Sequence, residues 1–183
     1  MKKLIESGAV SPCKALDVGC GEGFYSIYLA SNGFDVVGID LSEHAIEHAR
    51  RNAIKESVDI NFKAIDIADL NGLNERFDFV LEWSILHHIA PSQRPSYVEG
   101  LAGVLNPKGM YLSVCFSDKA PEFKGDEQKV QISPVGTKLY YSSQPKLQEL
   151  FQRHFEIIEF KLTTIKGRFG QEHVANYCVM KKR

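Results

Sequence analysis

The chain has 183 residues, with 22 Lys and Arg against 23 Asp and Glu, 44% hydrophobic residues and four cysteines, the make-up of one globular domain spanning 1–183. A net charge of −1 argues against a nucleic-acid partner, which ordinarily leaves an excess of basic residues on the protein. The cysteines at 13, 20, 115 and 178 form no close pair, so neither a zinc ribbon nor a disulfide scaffold is expected. No run of about eighteen apolar residues suggests a membrane span. Lys2 and Lys3 are followed by Leu4-Ile5 and then Glu6, too short an apolar stretch for a signal peptide, and a cytoplasmic setting is expected.

Apolar runs alternate with helical-period segments, the pattern of a doubly wound α/β sheet with helices on both faces. Ala15–Val18 reads as the first strand, and the cluster Gly19-Cys20-Gly21-Glu22-Gly23 ends it. A helix is expected over Phe24–Ser31, stopped by Asn32-Gly33, and Asp35–Ile39 follows as strand two. Ser42 is placed to cap the next helix, whose buried stripe is Ile46, Ala49 and Ala53. Ile60–Ile65 reads as strand three, 70–76 as a short helix or loop, and Phe77–Leu81 as a strand buried on both faces. A helix over 92–105 meets the turn Asn106-Pro107-Lys108-Gly109 before strand five at Met110–Phe116. The polar segment 117–143 breaks this rhythm and reads as an insertion. Helical period returns over 145–155, and two strands, Glu156–Thr164 and His173–Met180, are separated by a link at 166–170 too short for a parallel crossover.

The glycine cluster sits between a strand and a helix, where backbone N–H groups and a helix N-terminus face a ligand. Its spacing is GxGxG with Phe24 where a dinucleotide loop needs Gly or Ala. Asp17, two residues before the first glycine, would repel a pyrophosphate and attract an ammonium or sulfonium, so a nicotinamide-dependent oxidoreductase is disfavoured. Asp40 ends strand two, where an acid can accept from ribose hydroxyls, and Asp66 ends strand three, within reach of an adenine amino group.

These motifs resemble the class I, Rossmann-like S-adenosylmethionine-dependent methyltransferases. The resemblance runs from Lys14 to Phe116: the glycine motif at 15–23, Val36-Val37-Gly38-Ile39-Asp40-Leu41-Ser42, Lys63-Ala64-Ile65-Asp66-Ile67, Phe77–Leu81 with Leu86-His87-His88-Ile89, and Leu105–Gly109. It implies a seven-stranded sheet in the order 3-2-1-4-5-7-6 with strand 7 antiparallel. It further implies that Asp17 and the Gly19, Cys20, Gly21 and Gly23 backbone hold the methionine moiety, Asp40 and Leu41 the ribose side, and Asp66 with Ile67 the adenine. Glu82 and Trp83 would face the methyl group, and S-adenosylhomocysteine would be the product. Thirteen residues precede strand one, fewer than the helical cover many relatives carry, leaving a lid missing, shortened or supplied by the insertion.

His87 and His88 follow strand four, where either could act as a base or position an acceptor, against the plainer reading of hydrogen-bonded loop histidines. His44 and His48 stand one helical turn apart but lack further ligands nearby, so no metal is expected. Phe123, Tyr140, Tyr141 and His173 are candidates for the acceptor pocket. Glu82-Trp83-Ser84-Ile85 stands where base-modifying amino methyltransferases carry an Asn/Asp-Pro-Pro-aromatic tetrapeptide, which with the near-zero net charge points to a small-molecule acceptor, and the compact length and C-terminal strand pair resemble methyltransferases of the thiopurine and tellurite-detoxifying kind. A cofactor-binding regulatory module without catalysis is the alternative.

Overall fold

A computed structural model describes residues 1–121, 123, 130–133, 136–167 and 170–183. The parts of the 117–143 segment at 122, 124–129 and 134–135, and of the 166–170 link at 168–169, lie outside the described residues. The elements run α1 (Lys2–Glu6), β1 (Lys14–Val18), α2 (Phe24–Ser31), β2 (Asp35–Asp40), α3 (Glu43–Lys55), β3 (Asn61–Ala64), β4 (Phe77–Trp83), α4 (Arg94–Val104) and β5 (Leu105–Phe116). Then follow β6 (Val130–Ile132), β7 (Lys138–Tyr140), α5 (Gln144–Phe151), β8 (Phe155–Lys166) and β9 (Glu172–Lys182), with 3-10 turns at Ile67–Leu73 and Leu86–His88.

Among the described residues the main sheet has seven strands in the order β3-β2-β1-β4-β5-β9-β8. Counting only its own strands, that is 3-2-1-4-5-7-6, with β9 antiparallel to both β5 and β8. The period of two sorts the core into two layers. Leu16 and Val18 of β1 pack in the cluster that includes Leu101 of α4 and Phe151 of α5. Ala15 packs on the opposite face with Leu4 of α1 and Leu29 of α2. In α3, Ser42 Oγ accepts from Ala45 N–H at 3.2 Å, and Ile46, Ala49 and Ala53 close against Phe62.

Most ends fall within a few residues of expectation, and two differences, with the structure inside the 117–143 segment, have a physical reason. Strand β5 starts at Leu105, because this fully buried residue pairs with Phe77 before the chain bulges through Asn106–Gly109 and rejoins the ladder at Met110 opposite Phe79. Asn106 Nδ2 secures the bulge by donating to Asp78 Oδ1 at 2.7 Å. Helix α5 ends at Phe151, four residues early, because Phe155 is needed as the first, fully buried residue of β8, with its ring 5.3 Å from that of Tyr111. Within the 117–143 segment, β6 and β7 form a small antiparallel hairpin, and a bridge between Ser117 and Ser142 returns the chain to the end of β5.

Candidate active site

The C-terminal ends of β1, β2 and β3 meet at one edge of the sheet. Gly19 leaves β1 at φ +68, and a Cβ there would lie 2.0 Å from Ile85 Cδ1, so only glycine lets the β4 loop approach this closely. Gly21, at φ +54, is different: a Cβ built on it meets nothing within 4 Å. The middle of the loop therefore opens onto free space beside the start of α2. Phe24 and Leu41, 70% and 69% exposed, flank this opening as large apolar side chains that a flat ligand could cover.

Asp17 is 2% exposed and its Oδ2 accepts from Ser26 Oγ at 2.6 Å. Burial pushes its pKa up to about 6, and the nearby Asp40 adds to the rise against the Ser26 bond. Asp40 is half-buried and bridges two segments: Oδ2 accepts from Gly21 N–H and Oδ1 from Ser42 N–H, both at 2.9 Å. Lone pairs on both oxygens remain. Asp66 lies two residues beyond the end of β3, exposed, with Oδ1 accepting from Ala68 N–H at 2.9 Å. Ile67 begins the 3-10 turn beside it and lines a cavity of about 990 Å³ with Asp66 and His88. The Cys20 side chain points away, into the cluster around Ile46 and Ala49, which leaves only its backbone to the loop.

Glu82 and Trp83 separate to opposite faces, as neighbours in a strand must. Trp83 is half-buried on the α2 face, its ring centroid 4.6 Å from that of Tyr25. Glu82 is fully buried on the α4 face, so its carboxylate does not turn with Trp83 towards the opening. Its Oε1 accepts from the N–H groups of Ile85 and Leu86 at 3.0 and 2.9 Å, and its Oε2 from Tyr111 and Ser113 hydroxyls at 3.0 and 2.8 Å. Burial raises its pKa to about 7 despite those four donors. Glu82 thus anchors the loop in which Ser84 holds a left-handed φ of 71°.

His87 and His88 also part company. The His87 ring is 2% exposed and stacks parallel to Phe116 at 3.8 Å, while Phe116 N–H donates to His87 Nδ1 at 3.3 Å. That bond places the ring proton on Nε2. Burial holds the imidazole well below its ordinary pKa, so His87 presents a neutral N–H donor, with Nδ1 already engaged. His88 is exposed and faces the cavity shared with Asp66.

Phe116 organises the acceptor candidates. Tyr141 stacks on it at 5.5 Å, Phe123 stacks on Tyr141 at 4.7 Å, and His173 lies against Phe116 at 4.8 Å. His87, Phe116, Tyr141 and Phe123 form a continuous column of rings at the end of β5. Tyr140 sits beside it and contributes its carbonyl to Arg94. Sequence reasoning missed Phe116, Tyr25, Ser26 and Arg94. Phe116 could have been found as the last residue of strand five, but the other three carry no motif. His44 and His48 have rings 4.5 Å apart on α3, and among the described residues no group of three or more His, Cys, Asp or Glu is placed to hold a metal ion.

A glycine loop open at its centre, with carboxylates at three strand ends of a 3-2-1-4-5-7-6 sheet, defines a doubly wound domain of the methyltransferase type. The family model for the methyltransferase domain matches residues 15–109, more than half of the chain, and the chain belongs to that family. It is 28% identical over 158 residues to the 2-heptyl-1-hydroxyquinolin-4(1H)-one methyltransferase of Mycobacteroides abscessus, covering 85% of this chain and 63% of that one. It is 33% identical over 132 residues to the ubiquinone biosynthesis O-methyltransferase of Coxiella burnetii, covering 68% of this chain and 54% of that one. The chain thus spans between half and two thirds of the length of these curated relatives. A SAM-dependent methyltransferase from Methanosarcina mazei shares the fold with a TM-score of 0.83 at 22% identity, over 98% of this chain and 96% of that one.

Proposed function

We propose that this chain is a single-domain, S-adenosylmethionine-dependent methyltransferase acting on a small-molecule acceptor in the cytoplasm. The observation that carries the reading is the pair Asp17 and Asp40 on either side of a glycine loop whose centre is open. A carboxylate whose pKa is raised chiefly by burial, and further by its neighbour Asp40, favours a cationic ligand and opposes a pyrophosphate. The free lone pairs of Asp40 suit ribose hydroxyls, exposed Leu41 and half-buried Ile67 suit the faces of a planar base, and Asp66 suits an amino group. When bound, S-adenosylmethionine supplies a methyl group on an already activated sulfonium.

The chain's own residues supply alignment and dryness. Trp83 and Tyr25 wall the α2 side, and the column from His87 to Phe123 walls the β5 side. A flat acceptor laid along that column gains stacking area, and His87 Nε2–H can donate to an acceptor oxygen without a change of protonation state. The names of the two curated relatives, one acting on a hydroxyquinolone and one on an oxygen in ubiquinone biosynthesis, agree with an aromatic acceptor. With no excess of basic residues, nucleic acid is a poor acceptor. No helix among the described residues is long and apolar enough to cross a membrane.

The test is incubation with methyl-labelled cofactor and a fractionated metabolite extract, followed by mass detection of labelled products. Labelled small molecules that vanish with Asp40→Ala are expected. Binding of S-adenosylhomocysteine without any labelled product would favour the regulatory module, and absence of binding would defeat both.

A further inference from the structure

On the face of the sheet that packs α4 and α5, a cleft of about 590 Å³ runs between those two helices. It contains none of the glycine-loop, Trp83, His87 or Phe116 residues assigned above. Its floor holds Arg94, only 7% exposed. Nε donates to Ile89 O at 3.0 Å, Nη1 to Ser142 Oγ at 2.7 Å and Nη2 to Tyr140 O at 3.3 Å. All three partners are neutral, and two of the five guanidinium N–H donors are left over. Among the described residues no carboxylate lies within 4.0 Å of this cation. A buried charge is costly unless it is paired, and the usual solution is an acid nearby. Glu82 acts on Arg94 only from a distance, its oxygens spent on four other donors.

The rest of the lining is consistent with a missing anion. Lys146, exposed in the first turn of α5, and Arg153 line the same cleft. Glu99 and Glu149 line it too, yet neither forms an ion pair with Arg94, Lys146 or Arg153. The apolar walls, Pro91, Leu147 and Leu150, give a small organic body something to cover. Neither α4 nor α5 has a side-chain cap at its N-terminus; Pro95 and Pro145 remove one first-turn donor from each, and the remaining first-turn N–H groups lie at the ends where Arg94 and Lys146 sit.

We propose that the α4–α5 cleft is a second binding site, for a small ligand bearing a carboxylate or phosphate group that pairs with Arg94 and Lys146. The site bears on the acceptor region through two contacts. Tyr141 lines the cleft and stacks on Phe116, and Arg94 holds the carbonyl of Ile89, which ends the loop carrying His87. This assignment is independent of whether the chain transfers methyl groups.

The test is an amide NMR titration at constant ionic strength, with malonate, inorganic phosphate and potassium chloride as separate arms, on protein saturated with S-adenosylhomocysteine. Saturable shifts are expected at Arg94, Tyr141, Ser142, Lys146 and Leu147 with malonate or phosphate, and the tighter of the two identifies the group. Lys146→Glu, on an exposed position that should not disturb folding, is expected to weaken binding at least tenfold, the loss of one charge-assisted contact. Shifts that fail to saturate, that chloride reproduces, or that persist unchanged in Lys146→Glu overturn the proposal. Shifts at Gly19–Gly23 on adding S-adenosylhomocysteine report the cofactor reading separately, so failure of one is distinguishable from failure of the other.

Discussion

The edge formed by β1, β2 and β3 and the wall built around Phe116 are made in opposite ways. At the first, Asp17, Gly21 and Asp40 come from consecutive strand–loop units; the bond from Ser26 to Asp17 spans 9 residues and that from Gly21 to Asp40 spans 19. At the second, His87, Phe116, Tyr141 and His173 come from four separate segments, and the Phe116–His87 bond spans 29 residues. The first region holds one acid, Asp17, against the cost of burial, beside the half-buried Asp40, which suits a charged ligand. The second is a stack of rings with one neutral N–H donor, which suits a ligand recognised by shape and area.

The largest expected effect breaks the first region alone. Asp40→Ala removes the tie to Gly21 and, on the proposed assignment, the charge-assisted hydrogen bonds to a ribose, and should weaken S-adenosylhomocysteine binding by roughly 10²- to 10³-fold in calorimetry. The acceptor wall should be untouched, so the near-ultraviolet signature of its aromatic column should persist.

Next comes the element between the two regions. Glu82→Ala leaves two backbone N–H groups and two hydroxyls without their acceptor and should cost about 3 kcal/mol in chemical denaturation. Glu82→Gln should recover most of that loss, because the Tyr111 and Ser113 hydroxyls can turn to accept from an amide.

A smaller effect sharpens the electrostatic side of the contrast. Asp17 has a folded pKa of about 6, above its ordinary value of 3.8, so the folded state binds more protons between those values and stability from this group falls as pH rises through 6. Asp17→Asn should therefore gain stability over the unliganded wild type, by about 1 to 3 kcal/mol at pH 7.5 and much less near pH 4. It should also bind S-adenosylhomocysteine more weakly. Equal stability differences at both pH values would mean that the carboxylate is not held against its burial cost.

The smallest effect concerns the second region. If His87 serves as a neutral donor, His87→Gln should lower turnover by less than about tenfold and leave the pH–rate profile unchanged in shape, whereas loss of a titrating base would flatten one limb.

The reach of sequence reasoning follows the same divide. The α3 cap at Ser42 with its Ile46, Ala49 and Ala53 stripe, and the glycine loop, were legible because each depends on periodicity or spacing within a few residues, whereas the strand order was implied by the resemblance to a family. The opposite facing of Glu82 and Trp83 was also legible in principle from the strand period of two. The start of β5 was obscured because Asn106–Gly109 reads as a turn, and a bulge is a turn inside a ladder.

What the amino-acid sequence by itself determined is the alternation of strands and helices and the placing of Asp17, Asp40 and Asp66 at or just past successive strand ends, since periodicity and turn signals are local; the sheet order followed only from the resemblance to a family. Only the tertiary structure decided that Glu82 is an anchor, that His87 lies neutral on Phe116, and that Arg94 is buried with no carboxylate among the described residues within 4.0 Å. Each depends on contacts between segments far apart in the chain, and on desolvation, which no single segment carries in its own pattern.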